Sequence, residues 1–240
     1  MKNKITILLG IVTMLLTINF NASAQLSEEV VKRTPELPGE LMIDFGFNLL
    51  TNKPSHWDQT HWFRSKSFAV YFVHPLDVTE KLEVRPAIGM SFDKIGSKNA
   101  NFYAIDPDNP VVLIPENADV IKAQVAISNI EIPIEIRYNF SGNSDRTSPF
   151  IGLGPVAAFT YETKLKVKYE DGGEKYKVKS KGDADFLDTP KFRLGAHARL
   201  GWGQFAFFYK YYFNPVFKDS GFDGTGETMM STVGISITGL

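Results

Sequence analysis

Two histidines and a carboxylate fall within one short stretch of this chain, His56-Trp57-Asp58-Gln59-Thr60-His61-Trp62. Such groups bind metal ions or relay protons. Ser55, Asp58 and His61 can be written as the nucleophile, carboxylate and base of a hydrolase, in which a paired base activates the attacking oxygen. The spacing matches no ligand or triad motif, however, and tryptophans among short polar residues suit a solvated loop with interfacial aromatic anchors. No catalytic, cofactor or metal site is therefore assigned. The chain has no cysteine, so neither a disulfide framework nor a thiolate metal site is available.

A second constellation carries charge. Lys164, Lys166 and Lys168 alternate along one segment and Lys175, Lys177, Lys179 and Lys181 along the next, on either side of Asp171-Gly172-Gly173. A glycine pair between two alternating segments is a hairpin signature. Continuing the alternation of residues 149–169 without interruption points the first-arm lysines inward and Leu165, Val167 and Tyr169 outward, with Tyr176 and Val178 alternating likewise on the return arm. Such a hairpin rings the mouth of a barrel with positive charge, suited to lipopolysaccharide or an acidic partner. The structural alternative is an exposed hairpin whose lysines discourage edge pairing.

A third set lies on the polar faces of alternating segments: Asp44, Glu83, Asp93, Glu131 and Glu135 against Arg85, Arg137, Arg193, Arg199 and Lys210, with His197 on the same side. Five acids and five bases on one face are expected to pair with each other, because buried charges survive by pairing.

The elements that must position these groups follow from period-two alternation. Ile43, Phe45, Phe47 and Leu49 alternate with Met42, Asp44, Gly46 and Asn48, a strand with one apolar and one polar face. Equivalent segments are expected at about 40–50, 67–75, 82–93, 129–140, 149–169, 192–202, 205–213 and 229–240. In the fourth, Ile130, Ile132, Ile134, Ile136, Tyr138 and Phe140 face away from Glu131, Pro133, Glu135 and Arg137; Val125 and Ile127 then occupy the polar register, which predicts a bulge or an extramembrane extension. Pro86 and Pro133 remove ladder donors and predict local bulges or register ends. Connections alternate long and short along the chain, at 51–66, 96–123, 170–189 and 214–228 against 77–81, 141–148 and 203. Tyr209, Tyr211, Phe213, Phe205, Phe140 and Trp202 near strand ends suit aromatic girdles.

Ahead of the strands, Lys2 and Lys4 precede an apolar stretch over residues 5–20 and the small-residue pattern Ala22-Ser23-Ala24, a secretory signal with cleavage expected near Ala24. Residues 25–39, with Pro35 and Pro38, read as a periplasmic leader, and 40–240 as the barrel domain. Removing residues 1–24 takes Lys2 and Lys4 from the 26 basic residues and none of the 27 acidic ones, leaving 24 against 27, a net charge of −3. That balance argues against a nucleic-acid partner. The hydrophobic share of 43% is ordinary for a soluble protein and equally for a barrel whose lipid-facing and inner residues alternate.

Four segments carry a family resemblance: Arg85-Pro86-Ala87-Ile88-Gly89-Met90, Ile130-Glu131-Ile132-Pro133-Ile134-Glu135-Ile136-Arg137-Tyr138, Pro149-Phe150-Ile151-Gly152-Leu153-Gly154-Pro155 and Ser231-Thr232-Val233-Gly234-Ile235-Ser236. With them the chain resembles the PorT-like outer-membrane β-barrel family of Bacteroidota. The resemblance implies an eight-stranded barrel and, for the family's namesake, association with type IX secretion machinery. Many outer-membrane barrels end in an aromatic residue read by the assembly machinery, and Leu240 departs from that pattern.

The sequence thus predicts an all-β, eight-stranded antiparallel up-and-down transmembrane β-barrel in the bacterial outer membrane, monomeric and non-enzymatic. Its lumen is expected to be plugged by paired charges, since eight strands leave an interior just wide enough for side chains to fill. The expected surroundings are outer-membrane lipid and lipopolysaccharide, with secretion-machinery proteins as partners. A narrow pore for small solutes is the alternative, and a rim enzyme using the first loop a third, disfavoured reading.

Overall fold

The alternating segments form strands that pair in sequence order and close on themselves. The computed structural model describes residues 39–53, 62–97, 104–106, 109–110, 118–142, 147–218 and 227–239. Its strands are β1 (Glu40–Thr51), β2 (Lys66–Val73), β3 (Leu76–Asp77), β4 (Leu82–Ser97), β5 (Ala104–Asp106), β6 (Asn109–Pro110), β7 (Asp119–Asn139), β8 (Pro149–Asp171), β9 (Glu174–Gly182), β10 (Phe192–Trp202), β11 (Phe205–Tyr212) and β12 (Met229–Thr238). Each of β1, β2, β4, β7, β8, β10, β11 and β12 pairs antiparallel with the next, and β12 returns to β1, closing a ring of eight. The chain is an all-β, eight-stranded antiparallel up-and-down barrel. Full closure leaves the ring without the unpaired edges of an open sheet.

All long connections leave one end of the barrel, and the connections at residues 74–81, 140–148 and 203–204 leave the other. The tight turn at Gly203 uses a positive φ of 60°, and the β8–β9 turn uses φ values of 58° and 85° at Gly172 and Gly173, a conformation glycine adopts without steric penalty. The two prolines behave differently from expectation. Pro86 pairs opposite Ile134 and Pro133 opposite Val156 with the flanking register unchanged. Beside each proline the ladder lapses for two residues, at 87–88 of β4 and at 134–135 of β7, and then resumes in the same register without a bulge.

Polarity is inverted relative to a soluble globule. Phe207, Trp202 and Leu200 are 72%, 67% and 62% exposed on the outer wall, whereas Glu131 and Arg193 are 0% and 1% exposed inside. Exposed aromatic residues stand near both rims, Trp202, Phe205 and Phe140 at the turn end and Phe213 at the loop end, while Phe45 lies in the middle of β1. Register also aligns Phe45, Phe68 and Phe92 in one row across β1, β2 and β4.

β7 and β8 are 21 and 23 residues long, roughly ten more than a tilted strand needs to cross a bilayer. Their excess, with the end of β4 and all of β9, forms a sheet extending beyond the ring at its loop end. The expected irregularity near residue 128 exists, but its extra residue lies on the neighbouring strand: Ser128 pairs with Glu162 and Asn129 with Thr160, leaving Tyr161 of β8 unpaired. A one-residue bulge exchanges the two faces of the strand beyond it.

That bulge corrects the expected orientation of the hairpin. Leu165 and Val167 point inward and are fully buried, while Lys164 and Lys168 are exposed on the outer side. Lys177, Lys179 and Lys181 stand opposite Lys168, Lys166 and Lys164 on that same outer face. The first-arm lysines therefore do not line the lumen. Above the bulge the inward side is apolar: Ile95, Val125, Ile127, Leu165, Val167, Leu187 and Phe217 form a buried cluster, closed partly by the short 3-10 helix Ala184–Leu187, whose N-cap Asp183 accepts a hydrogen bond from the backbone N–H of Asp185.

Deleting Tyr161 should restore uninterrupted alternation and drive Lys164, Lys166 and Lys168 toward the apolar cluster. Amide hydrogen exchange is expected to show lost protection over residues 163–182 with protection kept over 149–159; unchanged protection of both segments would refute the role given to the bulge.

Candidate functional site

Below the apolar cluster, inward residues of all eight ring strands meet in tiers set by the ladder register. Nearest the turn end, Arg85 Nη1 donates to Glu83 Oε2 at 2.8 Å and Arg85 Nη2 pairs with Glu40, while Asn139 Nδ2 donates to Glu83 Oε1 at 2.7 Å. A cavity of about 80 Å³ opens among Glu40, Glu83, Arg85, Arg137 and Phe150. The next tier centres on Glu135. Arg137 Nε donates to its Oε1 at 2.7 Å, and Arg199 Nε lies 2.9 Å from Oε2 as an ion pair without hydrogen-bond alignment. His197 Nε2 lies 3.6 Å from the same oxygen. Arg199 also grips Asp44 through two parallel contacts of 2.9 and 2.8 Å, the bidentate geometry a planar guanidinium favours.

Glycine makes room for this tier. A Cβ on Gly152 would stand 2.6 Å from Glu135 Cδ, so any larger residue there displaces the carboxylate from its cations. The Arg137 guanidinium rests 3.8 Å from the Phe150 ring centre, which covers the charge from the side by cation–π attraction.

Glu131 occupies the middle tier and accepts from four donors. Lys210 Nζ lies 2.9 and 3.0 Å from its two oxygens, Tyr71 and Tyr212 hydroxyls donate at 2.5 and 2.6 Å, and Ser91 donates to Oε1. Above it, Asn129 Oδ1 accepts from Thr160 Oγ1 at 2.9 Å and Arg193 Nη2 at 3.1 Å, and Asn129 Nδ2 donates to Asp93 Oδ2 at 3.3 Å. Arg193 lies over the Tyr212 ring at 4.3 Å and 3.8 Å from Asp93.

All eleven inward residues named from the sequence, Asp44, Glu83, Arg85, Asp93, Glu131, Glu135, Arg137, Arg193, His197, Arg199 and Lys210, are buried inside the ring. Counting charges alone missed the neutral members Tyr71, Ser91, Asn129, Thr160 and Tyr212, and the rim acid Glu40. Their inward parity was available from the same alternation; Tyr212, for example, is two residues from Lys210. Ser55, His56, Asp58 and His61 lie outside the described residues. Among the described residues no three His, Asp or Glu side chains converge to hold a metal ion.

On the outer side, the lysine face is flanked by Lys94 and Lys122, which the sequence reading did not include. Glu162 pairs with Lys164 and lies 3.7 Å from Lys181. Partial burial and then Lys94, Arg64 and Lys168 hold the Lys122 ammonium below the usual lysine range; partial burial and then Lys177, Lys168, Lys179 and Lys122 do the same for Lys166.

An eight-stranded barrel with charge inside and apolar side chains outside is the class these features define. No protein-family model matches the chain, and no curated protein matches it by sequence. Among solved structures, Ail, the attachment invasion locus protein of Yersinia pestis, aligns at 9% identity and TM-score 0.36 over 84% of this chain and 99% of its own. The N-terminal β-barrel domain of Pseudomonas aeruginosa OprF aligns at 8% identity and TM-score 0.26 over 84% and 97%. A Rh. blastica porin variant aligns at 8% identity and TM-score 0.21 over 83% and 99%. The architecture rests on this chain's own strand pairing.

Replacing Glu131 by Ala should strand the Lys210 ammonium in the interior and cost about 3–5 kcal/mol, read as a lower urea midpoint in unfolding from detergent micelles. The double variant Glu131→Leu with Lys210→Met should recover much of that loss; a double variant as unstable as the single one would show that the pair is not the controlling interaction.

Proposed function

We propose that this chain is a small, non-enzymatic barrel of the bacterial outer membrane, closed to solutes and acting as a structural or interaction component through its loop end. The observation that carries the reading is the filled interior. Glu131 with its four donors, the Glu135–Arg199–Asp44 tier below and the apolar cluster above support a lumen closed by side chains that hold one another. Every buried acid named above has a cationic or hydrogen-bonding partner, which supports a structural role for the charges inside the ring. The exposed apolar wall supports a lipid environment, and a closed barrel is one of the two architectures that satisfy all backbone groups in lipid. Long connections at one end and short turns at the other support a periplasmic turn end and an external loop end.

The alternative is a narrow pore, favoured by the small cavity at the turn end. The resemblance to PorT-like barrels supports a partner in the type IX secretion machinery, which co-purification from native outer membrane would identify. Planar-bilayer recording of the refolded protein is expected to show no steady conductance; steady single-channel steps would replace the closed-barrel reading with the pore. Intact-mass measurement of the membrane-extracted protein should find Gln25 as its first residue, and a retained N-terminus would refute export by signal cleavage.

A further inference from the structure

We propose that the outer face of β4, β7, β8 and β9 binds a multiply phosphorylated, anionic glycolipid lying in the leaflet around the loop end. The proposal deepens the membrane reading above and rests on it.

Register places the lysines in rows. Lys94, Lys164 and Lys181 share the row that crosses Ala126, Lys166 and Lys179 share the next through Gln124, and Lys122, Lys168 and Lys177 form a third. Directly beneath runs the row Phe45, Phe68, Phe92, continued across Ser128 and Glu162. Lys94 thus begins the cation rows one alternation above Phe92, whose ladder partner Phe68 stands near the loop end of β2, while the same row reaches the middle of the wall at Phe45. Aromatic side chains at a strand's outer end suit the level where lipid headgroups meet acyl chains. The face also looks sideways, continuous with the lipid-facing wall, so its natural occupant shares the plane of the membrane.

Edge protection does not account for this arrangement. It explains lysines on β9, whose outer edge is unpaired, and it suits Lys94 and Lys122, where the β2–β4 and β4–β7 ladders have ended, but Lys164, Lys166 and Lys168 on β8 are paired on both sides. Three lysine pairs face each other directly across β8 and β9, a placement that destabilises a sheet by like-charge repulsion. Among the described residues, Glu162 is the carboxylate that pairs with this face, holding Lys164 and Lys181; Lys94, Lys122, Lys166, Lys168, Lys177 and Lys179 form no ion pair. An anion supplied from outside removes the repulsion.

The height of the face selects the kind of lipid. Rows two residues apart stand about 7 Å apart along a strand, so three rows rise ~11 Å along the membrane normal at a tilt of ~40°. The headgroup layer of a simple phospholipid is only about 5–7 Å deep on each side. The upper rows are reached by phosphates or acidic sugars that extend beyond it. Two grooves match such an amphiphile. One, of about 640 Å³, runs between Lys94, Lys164, Lys166 and Lys179; the other, of about 700 Å³, lies against Phe45, Phe47, Phe68 and Phe92 with Lys66, Lys94 and Lys164 at its rim.

The test uses the refolded full chain in detergent and native mass spectrometry with four probes: bisphosphorylated lipid A, the same lipid without phosphates, phosphatidylglycerol and inorganic pyrophosphate. Wild-type protein should retain the bisphosphorylated lipid most tightly, with affinity falling as salt rises. The triple variant Lys94→Gln, Lys166→Gln, Lys168→Gln should bind it roughly 100-fold more weakly, whereas Lys191→Gln with Lys218→Gln, at the Asp185 cluster, should bind as wild type. Equal retention by the triple variant, or equal binding of the dephosphorylated lipid or of phosphatidylglycerol, overturns the proposal. Tight pyrophosphate binding without lipid selectivity overturns it in favour of a soluble-anion site. Wild-type protein that fails to insert into any bilayer overturns the membrane reading and this inference together, while normal insertion with an unaffected triple variant overturns this inference alone.

Discussion

The interior of an eight-stranded barrel is too narrow to hold bulk water around its side chains, so every charged group placed there must be solvated by another side chain. The rest of this molecule follows from that constraint. It requires acids and bases in near balance on the inward face, and it requires gaps where large groups meet, as at Gly152 beside Glu135. It also explains why tyrosines stand on that face: the Tyr71 and Tyr212 hydroxyls saturate Glu131, and the Tyr212 ring covers Arg193. A carboxylate with one cation would remain under-solvated at this depth; one with a cation and three hydroxyls does not.

Where strands project beyond the ring as the loop-end sheet, the same constraint is met by a different device. No ring surrounds the projecting ends of β7 and β8, so their inward faces need a dry cluster of their own. β7 provides one by changing the chemistry of its inward residues from Asn129 and Glu131 to Val125 and Ile127 without changing parity. β8 cannot, because its lysines would then face the cluster; the extra residue at Tyr161 exchanges its faces and sends Leu165 and Val167 inward.

This difference between two neighbouring strands also marks how much of the structure was legible in the sequence. Alternation is a statement about parity, and wherever parity is unbroken it located the strands, their inward charges and the direction of the wall, as for Arg85, Glu135 and Lys210. A bulge is a single residue with no composition of its own. Tyr161 is an ordinary β-former, and the signal for the bulge was visible only on the partner strand, at Val125 and Ile127, where parity in fact continues. The prolines failed as signals for the opposite reason. Pro133 lies within a ladder whose flanking pairs keep one register, so losing a donor did not require the strand to shift. The partners of each inward charge were not legible either, since they depend on which strands lie across the ring as well as on which are adjacent. Arg199 of β10 reaches Asp44 of β1 and Glu135 of β7, so one cluster draws on three strands.

The two faces of the projecting sheet are energetically coupled. Lysines facing one another across β8 and β9 oppose pairing, and partial burial with neighbouring cations already weakens the charged form of Lys122 and Lys166. What holds the strands together against that repulsion is the other side of the same backbone: Leu165 and Val167 buried against Ile95 and Leu187, and Tyr169 stacked on Tyr176 with centroids 5.3 Å apart. Burying apolar area is not weakened by Debye screening, whereas lysine repulsion is screened as salt rises. The sheet should therefore be loosest at low ionic strength with its outer face bare, and firmest when anions occupy that face. A cationic surface mounted on an apolar cap can stay folded while unoccupied and still gain rigidity on occupation, which a lysine-rich loop without such a cap could not do.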